Sequence, residues 1–271
     1  MSIDYYGYLG EDIKKYKEEY FKKYKEIFIL YEEINHFLQK IKFKWQVKDN
    51  NIQDIYIVPL FIKSLETFQA IYVLLRNCIF NDAVNLTRIL FEGMINLGYC
   101  AKGENECKQY IAKEIKNKIR MINAAEQHPE EFPEELFQRQ PLSDRKKELE
   151  KMLKEIGRPK NVSIEHMARE LNLGKLYQVF YRLASNEVHS NPESLYKYCK
   201  IGKDGYIKEF YFGPNIIKNK VSVIFTSIET MLTICKFLSN YFDVPKEEDC
   251  LKFNKRKKEI DEKYKNLELN K

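Results

Sequence analysis

Between residues 181 and 189 the chain reads Tyr181-Arg182-Leu183-Ala184-Ser185-Asn186-Glu187-Val188-His189. On a continuous helix Arg182 and His189 lie seven residues apart, close to one face, with Ser185 between them. A fixed cation, a titratable imidazole and a hydroxyl would then share one cleft, with Tyr181 and Asn186 in support. RNA cleavage without a metal needs such parts. A base of near-neutral pKa takes the 2′-hydroxyl proton, and a cation steadies the charged phosphorane. A purely structural reading stands beside this one: Arg182 could pair with Glu92, and a histidine near a helix C-terminus is favourable for dipole reasons alone.

A second pair lies upstream, in Leu86-Thr-Arg88-Ile-Leu-Phe-Glu92-Gly-Met-Ile-Asn96. Arg88 and Glu92 are one helical turn apart in an otherwise apolar stretch, so they share a face and can pair. Charges at positions expected to be buried are costly unless paired. They form either an internal ion pair that fixes helix register or the polar floor of a site.

Arg182-x6-His189 is similar to the R-x4-6-H motif of the HEPN superfamily, all-helical domains that include many bacterial toxin and defence ribonucleases. The combined pattern, Arg88-x3-Glu92 followed by Tyr181-Arg-x2-Ser185-x3-His189, resembles more closely an uncharacterised bacterial helical family of unknown function, over about residues 82–195. The resemblance implies catalytic Arg182 and His189, an active site formed across a homodimer and, for toxin members, a neighbouring antitoxin or regulatory protein. Leu183 departs from the pattern, because catalytic members usually carry a polar residue after the arginine. The function expected is that of a metal-independent ribonuclease or RNA-binding effector in phage defence or toxin–antitoxin biology. The rival is a non-catalytic helical module that binds a protein or nucleotide through Arg88, Glu92, Arg182 and His189. A third reading is a purely structural dimer.

The elements that must position these residues are helices. From 11 to 41 one long pattern places Tyr20, Tyr24, Ile27, Tyr31, Ile34, Leu38 and Ile41 at alternating steps of four and three, a coiled-coil seam that calls for a partner helix or a second protomer. Two richly apolar helices follow. One runs over about 52–80, with Pro59 as a kink or true start, and the other opens at Asn81–Asp82 and runs to about 101. A more amphipathic helix covers 104–127, and Ser143 and Ser163 are read as caps of two shorter ones. A helix from Gly174 leads toward His189. The only β signal lies in 195–212, a small hairpin around Gly202-Lys-Asp-Gly205. A long apolar helix over 214–242 and a charged helix or tail complete the chain. The expected fold is all-α, a HEPN-like helical bundle with a long N-terminal helix and that hairpin. It divides into an N-terminal helix (1–48), a core domain (49–245) and a C-terminal helix or tail (246–271).

Composition narrows the function classes. Only 10 glycines and 8 prolines in 271 residues argue against an all-β fold. The 46 basic and 40 acidic residues are interleaved, which permits contact with nucleic acid without demanding it. The cluster Lys252, Lys255, Arg256, Lys257 and Lys258 is followed by acidic residues and reads as a solvated helical face. Six cysteines without any C-x-x-C pair fit reduced thiols in a cytoplasmic protein. His36, His128, His166 and His189 are far apart and none has a Cys or His at ligand spacing, so no metal and no cofactor are expected. No apolar run reaches the roughly 20 residues of a membrane span, so no membrane is expected.

Overall fold

The computed structural model describes residues 6–133, 141–157, 159–181, 192–213 and 220–269. Within them the chain is an all-α bundle with one small antiparallel hairpin.

The N-terminal pattern folds as two helices, α1 (Ile13–Lys23) and α2 (Lys25–Ile41), rather than as one. The break falls at Tyr24, whose φ of −112° and ψ of 23° leave the helical region. Its ring is turned into the core, edge-on to Tyr20 at 4.8 Å and tilted on Tyr264 at 5.4 Å, so aromatic packing overrides helix continuity. All seven seam residues, Tyr20 to Ile41, are buried in this chain's own core. At its centre Tyr31 stacks on Phe68 at 3.8 Å and donates its hydroxyl to the Phe68 carbonyl at 2.7 Å. The seam therefore has an intramolecular partner, and it no longer argues for a second protomer.

That partner is α3 (Ile52–Arg76), which Asn51 caps by accepting the Gln53 backbone N–H at 2.9 Å. The cap sets the start of α3, and Pro59 is accommodated inside the helix on its exposed side. A turn through Cys78, at φ 60°, leads into α4 (Phe80–Lys102), which begins without a side-chain cap at Asn81 or Asp82. Helix α4 is the central element, and two glycines allow its close packing. A Cβ at Gly93 would stand 3.0 Å from the Ser64 hydroxyl of α3. A Cβ at Gly98 would meet the Phe237 ring at 2.5 Å. Phe237 belongs to α10 (Lys220–Phe242), so α4 is packed between α3 and α10.

Helix α5 (Glu104–Gln127) returns along α4, and α6 (Leu142–Glu155) packs on α5. Helix α6 follows Pro141 directly, with Ser143 inside its first turn. Helix α7 (Ile164–Glu170) lies against α4 and is capped by Ser163, which accepts from the His166 N–H at 3.1 Å. The short α8 (Gly174–Leu176) widens into a π-helical turn over Tyr177–Tyr181. After α9 (Pro192–Leu195) comes the hairpin of β1 (Cys199–Ile201) and β2 (Ile207–Phe210). It pairs Cys199 with Phe210 and Ile201 with Ile207, with a bulge after Lys200. The charged C-terminal segment is a helix, α11 (Glu247–Leu269), lying along α2. Tyr264 donates to the Lys23 carbonyl at 2.9 Å, and Lys263 pairs with Glu26. Arg256 pairs with Glu33 and Lys257 with Glu229, so the basic cluster is partly neutralised within the fold.

One hydrophobic core runs from Ile13 to Tyr264. Five of the six cysteines are buried free thiols, Cys199 being half-buried. Two stretches, Ile52–Arg76 and Val221–Phe242, are long and apolar enough to cross a membrane by length and composition, contrary to the sequence expectation. Both contribute side chains to the core, which accounts for apolar residues on several faces.

Candidate functional site

Helix α4 is largely enclosed, and two of its charges, Arg88 and Glu92, emerge where the π-helical turn packs against it. Phe91 fixes that crossing, with its ring 5.3 Å from Phe180 and 6.5 Å from Tyr181. On the adjacent face Arg88 and Glu92 approach Tyr181 from below. The Arg88 Nη2 donates to the Tyr181 hydroxyl at 2.7 Å, and that hydroxyl donates to Glu92 Oε2 at 3.1 Å. Arg88 and Glu92 themselves are 3.9 Å apart, as their i, i+4 spacing anticipates. The Arg88 guanidinium also lies 4.4 Å from the centre of the Tyr181 ring, and Tyr177 stacks on that ring at 4.7 Å.

The phenol is thus the middle member of a charge-assisted relay. Burial, and then the Glu92 carboxylate, push the Tyr181 pKa up to about 12, against a lowering contribution from Arg88. Tyr181 stays a neutral donor through the physiological range, which suits a positioning group and not a base. Arg88 and Glu92 were expected to be mostly buried. Their side chains are 16% and 34% exposed, so both are mostly covered, Glu92 less so than Arg88.

Three of the seven residues singled out in the sequence, Arg88, Glu92 and Tyr181, therefore come together. Arg182, Ser185, Asn186 and His189 lie outside the described residues. The continuity expected of the helix from Gly174 gives way to the π-helical turn by Tyr177.

Sequence reasoning missed what lies beyond Glu92. A cleft of about 220 Å³ opens between α3 and α4, with Lys63, Thr67, Glu92 and Asn96 on its lining and Tyr110 of α5 beside them. The i, i+4 spacing of Glu92 and Asn96 was the available signal. Elsewhere, His128, Glu130 and Glu131 bring ligand-type atoms within 4.8 Å of one another, all three residues being exposed. Among the described residues no other His, Cys, Asp and Glu group of this kind occurs.

A model of a family of unknown function, DUF5677, matches residues 53–207, more than half of the chain. The chain belongs to that family. No curated protein and no solved structure matches it. The family region begins at the second residue of α3 and ends at the first residue of β2. It holds Arg88, Glu92, Tyr181 and the whole 181–189 segment, and it includes the cleft between α3 and α4. Helices α1, α2 and α10, which pack on α3 or α4, and α11, which packs on α2 and α10, lie outside the family region.

Proposed function

We propose that this member of the family is a metal-independent, HEPN-like ribonuclease or RNA-binding effector of the bacterial defence or toxin–antitoxin kind, acting in the cytoplasm. In this reading Arg182 steadies the phosphate, His189 exchanges the proton, and Ser185 and Asn186 orient the substrate. The observation that supports it is the Arg88–Tyr181–Glu92 network. It anchors the backbone one residue before Arg182 onto α4, the central helix of the bundle. A catalytic arginine has to be held within a fraction of an ångström of its productive position, and a neighbour fixed through two charge-assisted hydrogen bonds supplies that kind of constraint. A homodimer belongs to the proposal through the motif alone, since the N-terminal seam is occupied within the chain.

The test is incubation of the protein with total bacterial RNA, with and without EDTA, followed by analysis of product ends. Cleavage that survives EDTA and leaves 2′,3′-cyclic phosphates is expected. His189→Ala and Arg182→Ala should each slow it by about 100-fold or more, the scale of a positioned acid–base or charged group. No cleavage by the wild type, or equal cleavage by His189→Ala, would replace the enzyme with the binding module.

A further inference from the structure

The ribbon of β1 and β2 carries aromatic rings that the core does not take up. Tyr196, Tyr206, Phe210 and Phe212 are 62%, 73%, 76% and 63% exposed. The ladder continues past β2, because the Tyr211 N–H donates to the Tyr198 carbonyl at 2.7 Å. Phe210 and Phe212, two residues apart on this extended backbone, therefore project to one side about 6.8 Å from each other. That step is comparable to the one between successive nucleotides of an extended single strand. The rings also stand on a fixed base. Asn81 of α4 donates to the Tyr198 hydroxyl at 2.7 Å, and Phe212 packs edge-on against Tyr8 at 5.6 Å. A ligand that stacks on such a platform has little ordering left to impose on it.

The charge of the ribbon indicates what the ligand is. Lys197, Lys200, Lys203 and Lys208 stand against Asp204 and Glu209, a surplus of two positive charges over the ribbon's own acids. Glu209 pairs with Lys200 at 3.6 Å and Asp204 with Lys208 at 2.5 Å. All four of those side chains are about half exposed, and ion pairs in water are weak enough to yield to a phosphate. Lysine is depleted at protein–protein interfaces. Lysines interleaved with exposed rings are instead what a single-stranded nucleic acid engages, the rings taking its bases and the ammonium groups its phosphates.

We propose that the ribbon is a docking surface for single-stranded RNA, with bases stacked on Phe210 and Phe212 and phosphates drawn to Lys200, Lys203 and Lys208. The choice of RNA rests on the function proposed above. The stacking and the charge do not depend on cleavage at Arg182 and His189. Stacking accepts any base, because each has a π-face, so the surface holds the strand without reading its sequence. Both rings lie outside the family region, which ends at residue 207, so the surface is assigned to this chain alone.

Fluorescence anisotropy of the full chain with a labelled 2′-O-methyl oligouridylate about 12 nucleotides long tests the proposal. The blocked 2′-hydroxyl prevents cleavage by the proposed route, so binding is read by itself. The single strand should bind at least about tenfold more tightly than a 2′-O-methyl duplex of the same length, whose bases are stacked on one another. Phe210→Ser should weaken the single strand by at least about fivefold, the lower end for one stacked base, and Phe210→Trp should bind at least as well as the wild type. Lys203→Ala, at an exposed turn position, should reduce the slope of log affinity against log salt by about 0.7, the share of one phosphate. His189→Ala should bind like the wild type, so binding without cleavage counts against the ribonuclease alone, and cleavage without binding at the ribbon counts against the ribbon alone. No binding at a protein concentration of about 0.1 mM, equal affinity for the duplex, or an unchanged affinity in Phe210→Ser would overturn the surface. A dimer that Phe210→Ser splits in sedimentation velocity, with no RNA bound by the wild type, would assign the ribbon to a second copy of the chain instead.

Discussion

The seam between α2 and α3 and the hairpin of β1 and β2 are built from similar residues and end in opposite environments. In the seam Phe28, Tyr31, Phe61 and Phe68 are all fully buried. In and beside the hairpin Tyr206 is 73% exposed, Phe210 76%, and all four residues of β2 face solvent. Hydrophobicity alone therefore does not decide burial in this chain; the availability of a second layer does. Helix α2 repeats its apolar residues at helical spacing and meets α3, which does the same. The hairpin's cross-strand pairs put Cys199, Ile201, Ile207 and Phe210 on one face, opposite the Lys200–Glu209 pair, and no further sheet or helix covers that face among the described residues. Two strands alone are marginal in water. The ribbon is held at its base instead, where Asn81 donates to the Tyr198 hydroxyl at 2.7 Å and Phe212 packs edge-on against Tyr8 at 5.6 Å.

The contrast can be broken first in the seam. Phe68→Ala removes the ring that stacks on Tyr31 in a site with no access to water, and should cost about 3–5 kcal/mol. Chemical denaturation monitored by far-ultraviolet circular dichroism measures it. A loss below 1 kcal/mol would mean that the seam is not the structural centre assigned to it.

An intermediate effect is expected at Tyr181, on the π-helical turn that packs against α4. Tyr181→Phe keeps the ring against Phe91 and Tyr177 but removes the hydroxyl, leaving Arg88 and Glu92 to a direct 3.9 Å contact. The expected cost is about 1–3 kcal/mol, from two lost hydrogen bonds to charged groups that water partly replaces. Glu92→Ala should cost less than a fully buried unpaired charge would, about 1 kcal/mol, because its carboxylate is one-third exposed. The pH dependence has a definite sign. The folded phenol titrates near 12, above its ordinary value of 10.0, so the stabilisation tied to its protonated form is fully present below pH 10. It declines as pH rises through 12. Ultraviolet titration of the phenolates should show one fewer late-titrating group in Tyr181→Phe. Loss of a group titrating near the ordinary value of 10.0 instead would mean that Tyr181 is solvated.

Much of this could be read from spacing. The pairing of Arg88 with Glu92 followed from i, i+4 geometry, the hairpin from two glycines between alternating aromatics, and α5 from an amphipathic period. The break at Tyr24 could not be read that way, because no helix breaker marks it. It arises from the fit of three aromatic rings, one of them 240 residues away in Tyr264. The partner of the N-terminal seam was ambiguous for a similar reason, since a seam specifies the shape of its partner and not whether that partner is in the same chain. The cleft was hidden because Lys63 and Asn96 lie on different helices, brought together by the close approach of Gly93 to Ser64. Tyr181 was legible as a neighbour of Arg182, but its place as the bridge between Arg88 and Glu92 needed the π-helical turn, which has no periodic signature.

The smallest effect is expected at the tip of the contrast. Phe210 is the most exposed aromatic of the ribbon, opposite Cys199 and at the end of β2 farther from the turn. Phe210→Ser removes a ring with little buried area to lose, so the folded state should change by no more than about 0.5 kcal/mol. The substitution also separates two accounts of why an exposed ribbon carries so much apolar surface. If the ribbon is ordered by its anchors at Asn81 and Tyr8, Phe210→Ser leaves the amide exchange of 199–210 as it was, while Asn81→Ala speeds it. If instead the apolar face orders the ribbon by its own cross-strand contacts, Phe210→Ser speeds exchange as much as Asn81→Ala does. Hydrogen exchange followed by mass spectrometry resolves the two, and the geometry at Tyr198 and Phe212 predicts the first. An equal effect from both substitutions would show that the ribbon carries its own small core, and that the seam and the hairpin differ in size and not in kind.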